Sequence, residues 1–122
     1  QKTGSSFDRH TKLDSKIKVK TTTLDVICAT YNIEKIDILK LDAQGAELLV
    51  FNGAKNLLDN HLIELIYSEI NFIHMYDEMA LLHEITTLLE TNDYKLFNLF
   101  NIFHNQSGQI SWGDAIFTKS IP

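Results

Sequence analysis

The sequence IDILKLDAQGAE, at residues 36–47, decides the fold of this chain. Five of its first seven residues are apolar or carry a long aliphatic stem, which is typical of a strand covered on both faces. Side chains alternate along a strand, so Ile38, Lys40 and Asp42 share one face, with Asp42 at the carboxyl end. Ligands of open α/β sheets bind at that end. Gly45 then permits a sharp turn into a helix.

The residues after this turn predict a βαβ unit. Apolar residues at helical spacing over 46–57 indicate one amphipathic helix, which Asp59-Asn60 should end. Gly53 lies on its buried face, where it would let the helix lie close to the sheet, and a kink there is the alternative. A second apolar strand follows at 62–70 and carries Glu69 near its end. Such units make parallel neighbours. A further apolar stripe predicts a helix over about 78–91.

The flanking segments complete the fold prediction. Alternating apolar and basic residues predict a strand with one solvent-exposed face at 17–20. A short helix over about 24–31 should follow, capped by Thr23. Apolar segments at 94–103 and 113–118 predict a closing antiparallel hairpin. The fold class is therefore α/β, the C-terminal half of a doubly wound, Rossmann-like sheet with parallel strands and helices.

Size and composition bound the class of protein. The 122 residues, 44% of them hydrophobic, suit one domain or part of one. The net charge of −5 argues against nucleic acid. Six of the eleven basic residues lie within the first twenty. We therefore expect a loop or basic arm at 1–16 and a partial α/β domain at 17–122. This arm is either a solvated segment with no partner or a segment that binds an acidic or phosphorylated partner.

Other sequence features bear on compartment and metal. A single cysteine, Cys28, suits a reducing compartment, and neither a signal peptide nor an apolar run of about 18 residues is present. These features predict a cytoplasmic protein with no membrane partner. The chain begins at Gln1 rather than Met, so we expect a piece of a longer protein. The five histidines lack metal-binding spacing, which predicts no zinc site. A magnesium ion held by Asp42 and Glu69 is a weaker alternative.

Several motifs resemble one known family. Thr23-Leu24-Asp25, the block at 36–47, and Leu49-Val50 with Gly53-Ala54 are similar to the FkbM family of S-adenosylmethionine-dependent methyltransferases. The strand that contains Glu69 and the segment 113–117 resemble the family's following strands. Gln44 stands where the family commonly has Glu, so its side chain keeps hydrogen-bonding groups but carries no charge.

The resemblance implies an enzyme that transfers a methyl group from S-adenosylmethionine to a hydroxyl of a small molecule or glycan. The family's glycine-rich cofactor loop is absent from the sequence, so most cofactor contacts should come from elsewhere. The missing N-terminal half, a second chain, or the strand predicted at 17–20 would then cover an open sheet edge at the strand of residues 36–41. The alternative is a non-catalytic α/β binding or interaction module derived from that fold.

The candidate site follows from the same residues. Asp42 and Glu69 are the candidate catalytic acids, although Asp42 has the alternative role of a helix cap. Asp42, Gln44 and Gly45 are the candidate cofactor-binding residues. Lys40 and Glu47 should be structural, with Lys40 paired to Asp42 or Glu47 and Glu47 favoured by the helix dipole. A lid over the acceptor is predicted from Phe72, His74 and Tyr76, and the alternative is that this cluster only caps the core.

Overall fold

The computed structural model describes residues 15–120 and shows a mixed α/β fold. Within that range the elements, in chain order, are α1 (Leu24–Thr30), β1 (Ile36–Leu41), α2 (Glu47–Asn52), α3 (Lys55–Asp59), β2 (Ile63–Asn71), α4 (Leu82–Glu90), β3 (Tyr94–His104) and β4 (Ile110–Lys119). The predicted arm at 1–16 lies almost entirely outside the described residues.

The four strands form one sheet in the order β1-β2-β4-β3. Strand β1 runs parallel to β2, with Ile36 opposite Ile63 and Leu41 opposite Ser68. This confirms the predicted βαβ unit. Strands β3 and β4 pair antiparallel, which confirms the hairpin. It is the second strand of the hairpin, β4, that lies against β2.

One face of the sheet carries the hydrophobic core. Leu39 and Leu41 on β1 are buried together with Ile66 on β2, whereas Ile38 on the opposite face is 66% exposed. The prediction that β1 is covered on both faces is therefore wrong for the described residues. Strand β1 also lies at the edge of the sheet, paired on one side alone within residues 15–120. Further core side chains come from the helices and β4: Phe51, Leu57, Leu58, Ile85, Leu89, Ala115 and Phe117.

The predicted strand at 17–20 is not formed. These residues have no regular secondary structure and are exposed, and Ile17 and Val19 contribute nothing to the core. They have no strand neighbour in the described part of the chain, so the edge of β1 stays open there. The predicted helix at 24–31 is confirmed as α1, and the Thr23 hydroxyl accepts the Val26 N–H at 3.2 Å.

The single helix predicted over 46–57 is two helices, α2 and α3, with a break at Gly53. A Cβ on Gly53 would lie 3.0 Å from the Cβ of Thr23, so this glycine allows close contact with the start of α1 rather than with the sheet. The Gly53 carbonyl accepts the Asp25 N–H at 3.0 Å. The Asp25 carboxylate in turn accepts the N–H groups of Asn56 and Leu57, at 2.8 and 3.1 Å. A side chain of α1 therefore caps α3.

The predicted helix at 78–91 begins later, at Leu82. Residues Met79 and Ala80 are buried in the preceding loop, and the Ala80 N–H donates to the Gly45 carbonyl at 3.1 Å. This contact holds the chain in a non-helical path beside the turn after β1. The Glu84 carboxylate then accepts the Leu81 N–H at 2.8 Å and stabilises the first turn of α4.

The turn after β1 requires glycine at position 45 for two reasons. Gly45 has φ +95°, in the left-handed region that disfavours side chains. A Cβ there would also lie 2.7 Å from the Cβ of Met79. Gly108, in the hairpin turn, has φ +86°, but a Cβ on Gly108 would have open space around it to a distance of 4 Å.

We expect Gly45→Ala to lower the free energy of unfolding by about 2 to 5 kcal/mol, since backbone strain and overpacking add. Gly108→Ala is the matched control and should cost about 1 to 2 kcal/mol, from backbone strain alone. Urea denaturation of the two variants measures the difference. Equal losses would contradict the close packing of the turn against Met79.

Candidate active site

The parallel pairing of β1 and β2 brings two carboxylic acids together. Leu41 lies opposite Ser68, so the next residues along the two strands are Asp42 and Glu69. Asp42 is exposed, and its Oδ1 accepts a hydrogen bond from Gln44 Nε2 at 3.0 Å. The two candidate catalytic acids therefore meet at the carboxyl ends of parallel strands.

The environment of Glu69 favours its protonated form. Partial burial raises the pKa of this carboxyl above its ordinary value, and the charges of three other acids add to the shift: Asp42, Glu47 and Asp114. A hydrogen bond with the Asp42 carboxyl raises the pKa further. The Glu69 carboxyl therefore holds its proton more readily than an isolated glutamate does.

Glu47 is buried inside the turn that follows β1. Its side chain is 0% exposed, and Oε1 accepts the Ala43 N–H at 2.9 Å. Its Oε2 has no hydrogen-bond partner among the described residues. The carboxylate thus closes the turn by binding backbone, in the first turn of α2.

The predicted ion pair of Lys40 is absent from the structure. Lys40 is exposed on the open face of the sheet, and no salt bridge within residues 15–120 joins it to Asp42 or Glu47. Because β1 is uncovered on this face, the ammonium stays in water and needs no buried partner.

The turn itself takes an uncommon backbone path. Gln44 has φ +53° and Gly45 has φ +95°, so two successive residues are left-handed. The Gln44 amide reaches back to Asp42 and fixes that carboxylate. The three residues predicted to contact a cofactor are therefore grouped in one turn, and their binding of a cofactor stays a prediction.

A polar group that the sequence did not single out lies beside Glu69. Asp114 on β4 is directly opposite Glu69 on β2. The Tyr67 hydroxyl donates to Asp114 Oδ2 at 2.8 Å, and Asn101 Nδ2 donates to the same oxygen at 2.9 Å. The bond to Asp114 is the main cause of a raised pKa of Tyr67. Only the pairing of β2 with β4 could have revealed this group.

The predicted lid residues lie in the loop after β2. Phe72 is half-buried and packs against the core, His74 is exposed, and Tyr76 is half-buried. The Met75 N–H donates to Met79 Sδ at 3.0 Å within this loop, and the Ala80 N–H, which donates to the Gly45 carbonyl, ties the loop to the turn after β1. The loop is thus placed at the carboxyl end of the parallel strands, and its role as a lid stays a prediction.

Two further findings concern the described residues. No group of three or more His, Cys, Asp or Glu side chains there has an arrangement that could hold a metal ion. Between residues 15 and 120, none of the helices has both the length and the apolar character needed to cross a membrane.

These features define an α/β domain with paired carboxyls at the ligand-binding edge of its parallel strands. The chain belongs to the FkbM methyltransferase domain family, because the family model matches residues 1–96. The match includes the turn after β1 and both candidate catalytic acids.

One curated relative is 2-O-methyltransferase NoeI of Sinorhizobium fredii (strain NBRC 101917 / NGR234), which is 35% identical over 78 residues. The match covers 64% of this chain and 31% of the relative. The matched part of the chain therefore spans less than a third of that protein. No solved structure matches the chain.

The raised pKa of Glu69 predicts a pH-dependent effect of Glu69→Gln. A carboxyl whose pKa is higher in the folded protein than in the unfolded chain stabilises the fold most at low pH. This contribution is fully present below the pKa in the unfolded chain, about 4.3, and is lost as the pH rises through the pKa in the folded protein. The glutamine side chain of the variant does not titrate, so the variant does not lose stability in this way. The difference in melting temperature, variant minus natural chain, should therefore increase by about 1 to 3 °C from pH 4 to pH 7.

Thermal melts of both proteins at the two pH values measure this change. Glu90→Gln, at an exposed acid at the end of α4, is the control and should show a flat difference. A difference for Glu69→Gln that shrinks toward pH 7 would contradict the placement of Glu69 among other carboxylates.

Proposed function

We propose that this chain is part of an S-adenosylmethionine-dependent methyltransferase that methylates a hydroxyl group of a small molecule or glycan. The observation that carries the proposal is the contact of the Asp42 and Glu69 carboxyls at the end of the parallel strands. Membership of the FkbM family supports the reaction class.

The carboxyl pair suits the proton transfer that such a reaction needs. A hydroxyl becomes a better nucleophile when a base accepts its proton, and a carboxyl whose pKa is raised toward neutral pH is suited to that task. Glu69 is the candidate base because its pKa is raised by burial and by the neighbouring charges. Asp42, fixed by Gln44, would position the pair at the sheet edge.

The residues present suit the charge of the proposed cofactor. S-adenosylmethionine, when bound, supplies a methyl group on a positively charged sulfonium. The carboxyls of Asp42, Glu69 and Asp114 are close enough for their charges to interact, and they would favour a cation. Asp42 and Gln44, which are exposed, would hold it from the turn after β1, and Gly45 allows the backbone path of that turn.

The open edge of β1 supports a partner for the sheet. Ile38 is 66% exposed on a strand that pairs on one side alone within the described residues. Exposed apolar edge strands favour pairing with another strand. We propose that the rest of the methyltransferase domain, or a second chain, pairs there and supplies most of the cofactor contacts.

Calorimetry with S-adenosylmethionine tests the proposal on two proteins: the 122-residue chain, and the same chain extended upstream. We expect the short chain to bind weakly or not at all and the extended chain to bind measurably. Tight binding by the short chain would contradict the need for a further part of the domain.

Methyl transfer by the extended chain, measured with radiolabelled donor and a panel of hydroxyl acceptors, tests the catalytic acids. Asp42→Asn should lower turnover by about 100-fold or more, since positioned acid–base groups contribute at least that factor. Asp37→Asn, at an exposed acid on the same strand, is the control and should keep activity. No transfer by the extended chain would favour the non-catalytic module.

A further inference from the structure

Asn71 is a buried polar residue at the end of β2. It is the last residue of β2, 2% exposed, and its Nδ2 has no hydrogen-bond partner among the described residues. Asn71 lies two residues beyond Glu69, so both side chains are on the same face of the sheet. A buried amide donor beside the candidate base is a group to which a ligand oxygen can bind.

Strand β4 places a matching acceptor on that face. Asn71 is directly opposite Trp112, and Glu69 is directly opposite Asp114. Both hydrogen bonds to Asp114, from Tyr67 and Asn101, end on Oδ2. The other oxygen, Oδ1, takes part in neither of these bonds, so it is the oxygen of Asp114 that could accept from a ligand.

A hydroxyl group is the simplest ligand that satisfies both residues. It accepts one hydrogen bond, here from Asn71 Nδ2, and donates one, here to Asp114 Oδ1. Residues opposite each other on paired strands have Cβ atoms about 5 Å apart, so a hydroxyl held by Asp114 also lies close to Glu69. This places its proton near the candidate base.

The adjoining aromatic side chains indicate what carries the hydroxyl. The rings of Phe103 and Trp112 are stacked, with centroids 4.0 Å apart and planes 10° apart, and Phe103 is half-exposed. A flat apolar surface beside polar groups suits a sugar ring, whose C–H face packs on an aromatic ring while its hydroxyls bond at the edge. The neighbouring carboxylates disfavour an anionic ligand.

We infer that Asn71 and Asp114 bind the acceptor of the reaction, and that this acceptor is a neutral glycoside whose ring packs beside Phe103 and Trp112. The inference rests on the proposed function for the purpose of the binding, but the binding itself requires no methyl donor.

The only tryptophan of the chain, Trp112, provides the measurement. We expect titration of the 122-residue chain with methyl α-D-glucopyranoside to change tryptophan emission to saturation. The same ring with a carboxylate, methyl α-D-glucuronide, should bind at least about tenfold more weakly. Equal or tighter binding of the glucuronide would overturn the assignment of a neutral ligand.

Two variants test the two residues. Asn71→Leu keeps the size of the side chain, and Asp114→Asn keeps its shape; each should weaken glycoside binding by about tenfold or more, as expected for loss of a hydrogen bond to a positioned polar group. Glu90→Gln should bind like the natural chain. Circular dichroism melts establish that each variant is folded. An Asn71→Leu variant that melts no lower than the natural chain, yet has lost binding, excludes a structural role for the amide.

The outcomes separate this inference from the proposed function. Absence of glycoside binding, or binding that either variant leaves unchanged, overturns the inference even if the extended chain transfers methyl groups to another hydroxyl. Glycoside binding that depends on both residues supports the inference, even if no methyl transfer is found.

Discussion

The hydrogen bond from the Ala43 N–H to the buried Glu47 carboxylate is the constraint on which the site depends. It ties the turn after β1 to the first turn of α2, so the chain cannot leave the strand in another direction. Gly45 can then meet Met79 closely, and its carbonyl accepts the Ala80 N–H. One turn thereby fixes both the end of β1 and the loop after β2, which are the two segments that flank the paired acids.

The second constraint is that the core lies on one face of the sheet. Leu39 and Leu41 point into the core, so the alternate side chains of β1 face water in the described structure. As a result, the polar groups of the candidate site and the apolar core lie on opposite faces of the sheet. Glu69, Asp114 and Tyr67 all lie on the face without a core, where carboxylates keep contact with solvent and can meet a ligand. Partial burial, followed by the charges of Asp42, Glu47 and Asp114, raises the pKa of Glu69 at a modest cost in stability, because solvent screens charges that are only partly buried.

The sequence predicted the elements better than their contacts. Periodicity located β1, β2, α1 and the hairpin, because a strand or helix that buries one face must repeat its apolar residues at a fixed spacing. It could not show that β4 rather than β3 lies against β2, since both hairpin strands are apolar. The pairing of Asp114 with Glu69 was therefore missed. The break at Gly53 was predicted only as an alternative, a kink in one helix, because it depends on contact with Thr23, a residue far earlier in the chain.

Contacts also separate the parts of the family motif by role. Asp25 caps α3, Gly53 leaves room for the Thr23 side chain, and Glu47 accepts a backbone N–H. The positions of these three residues are explained by structure, because they hold helices and a turn together. Asp42 differs: it is exposed, it caps no helix in the structure, and its contacts are the Gln44 amide and the Glu69 carboxyl. The helix-cap alternative for Asp42 thus loses its support, because the residue before α2 is Ala46. Asp42 is therefore the residue of this motif for which the contacts of the described residues show no capping role, and for which we propose a ligand.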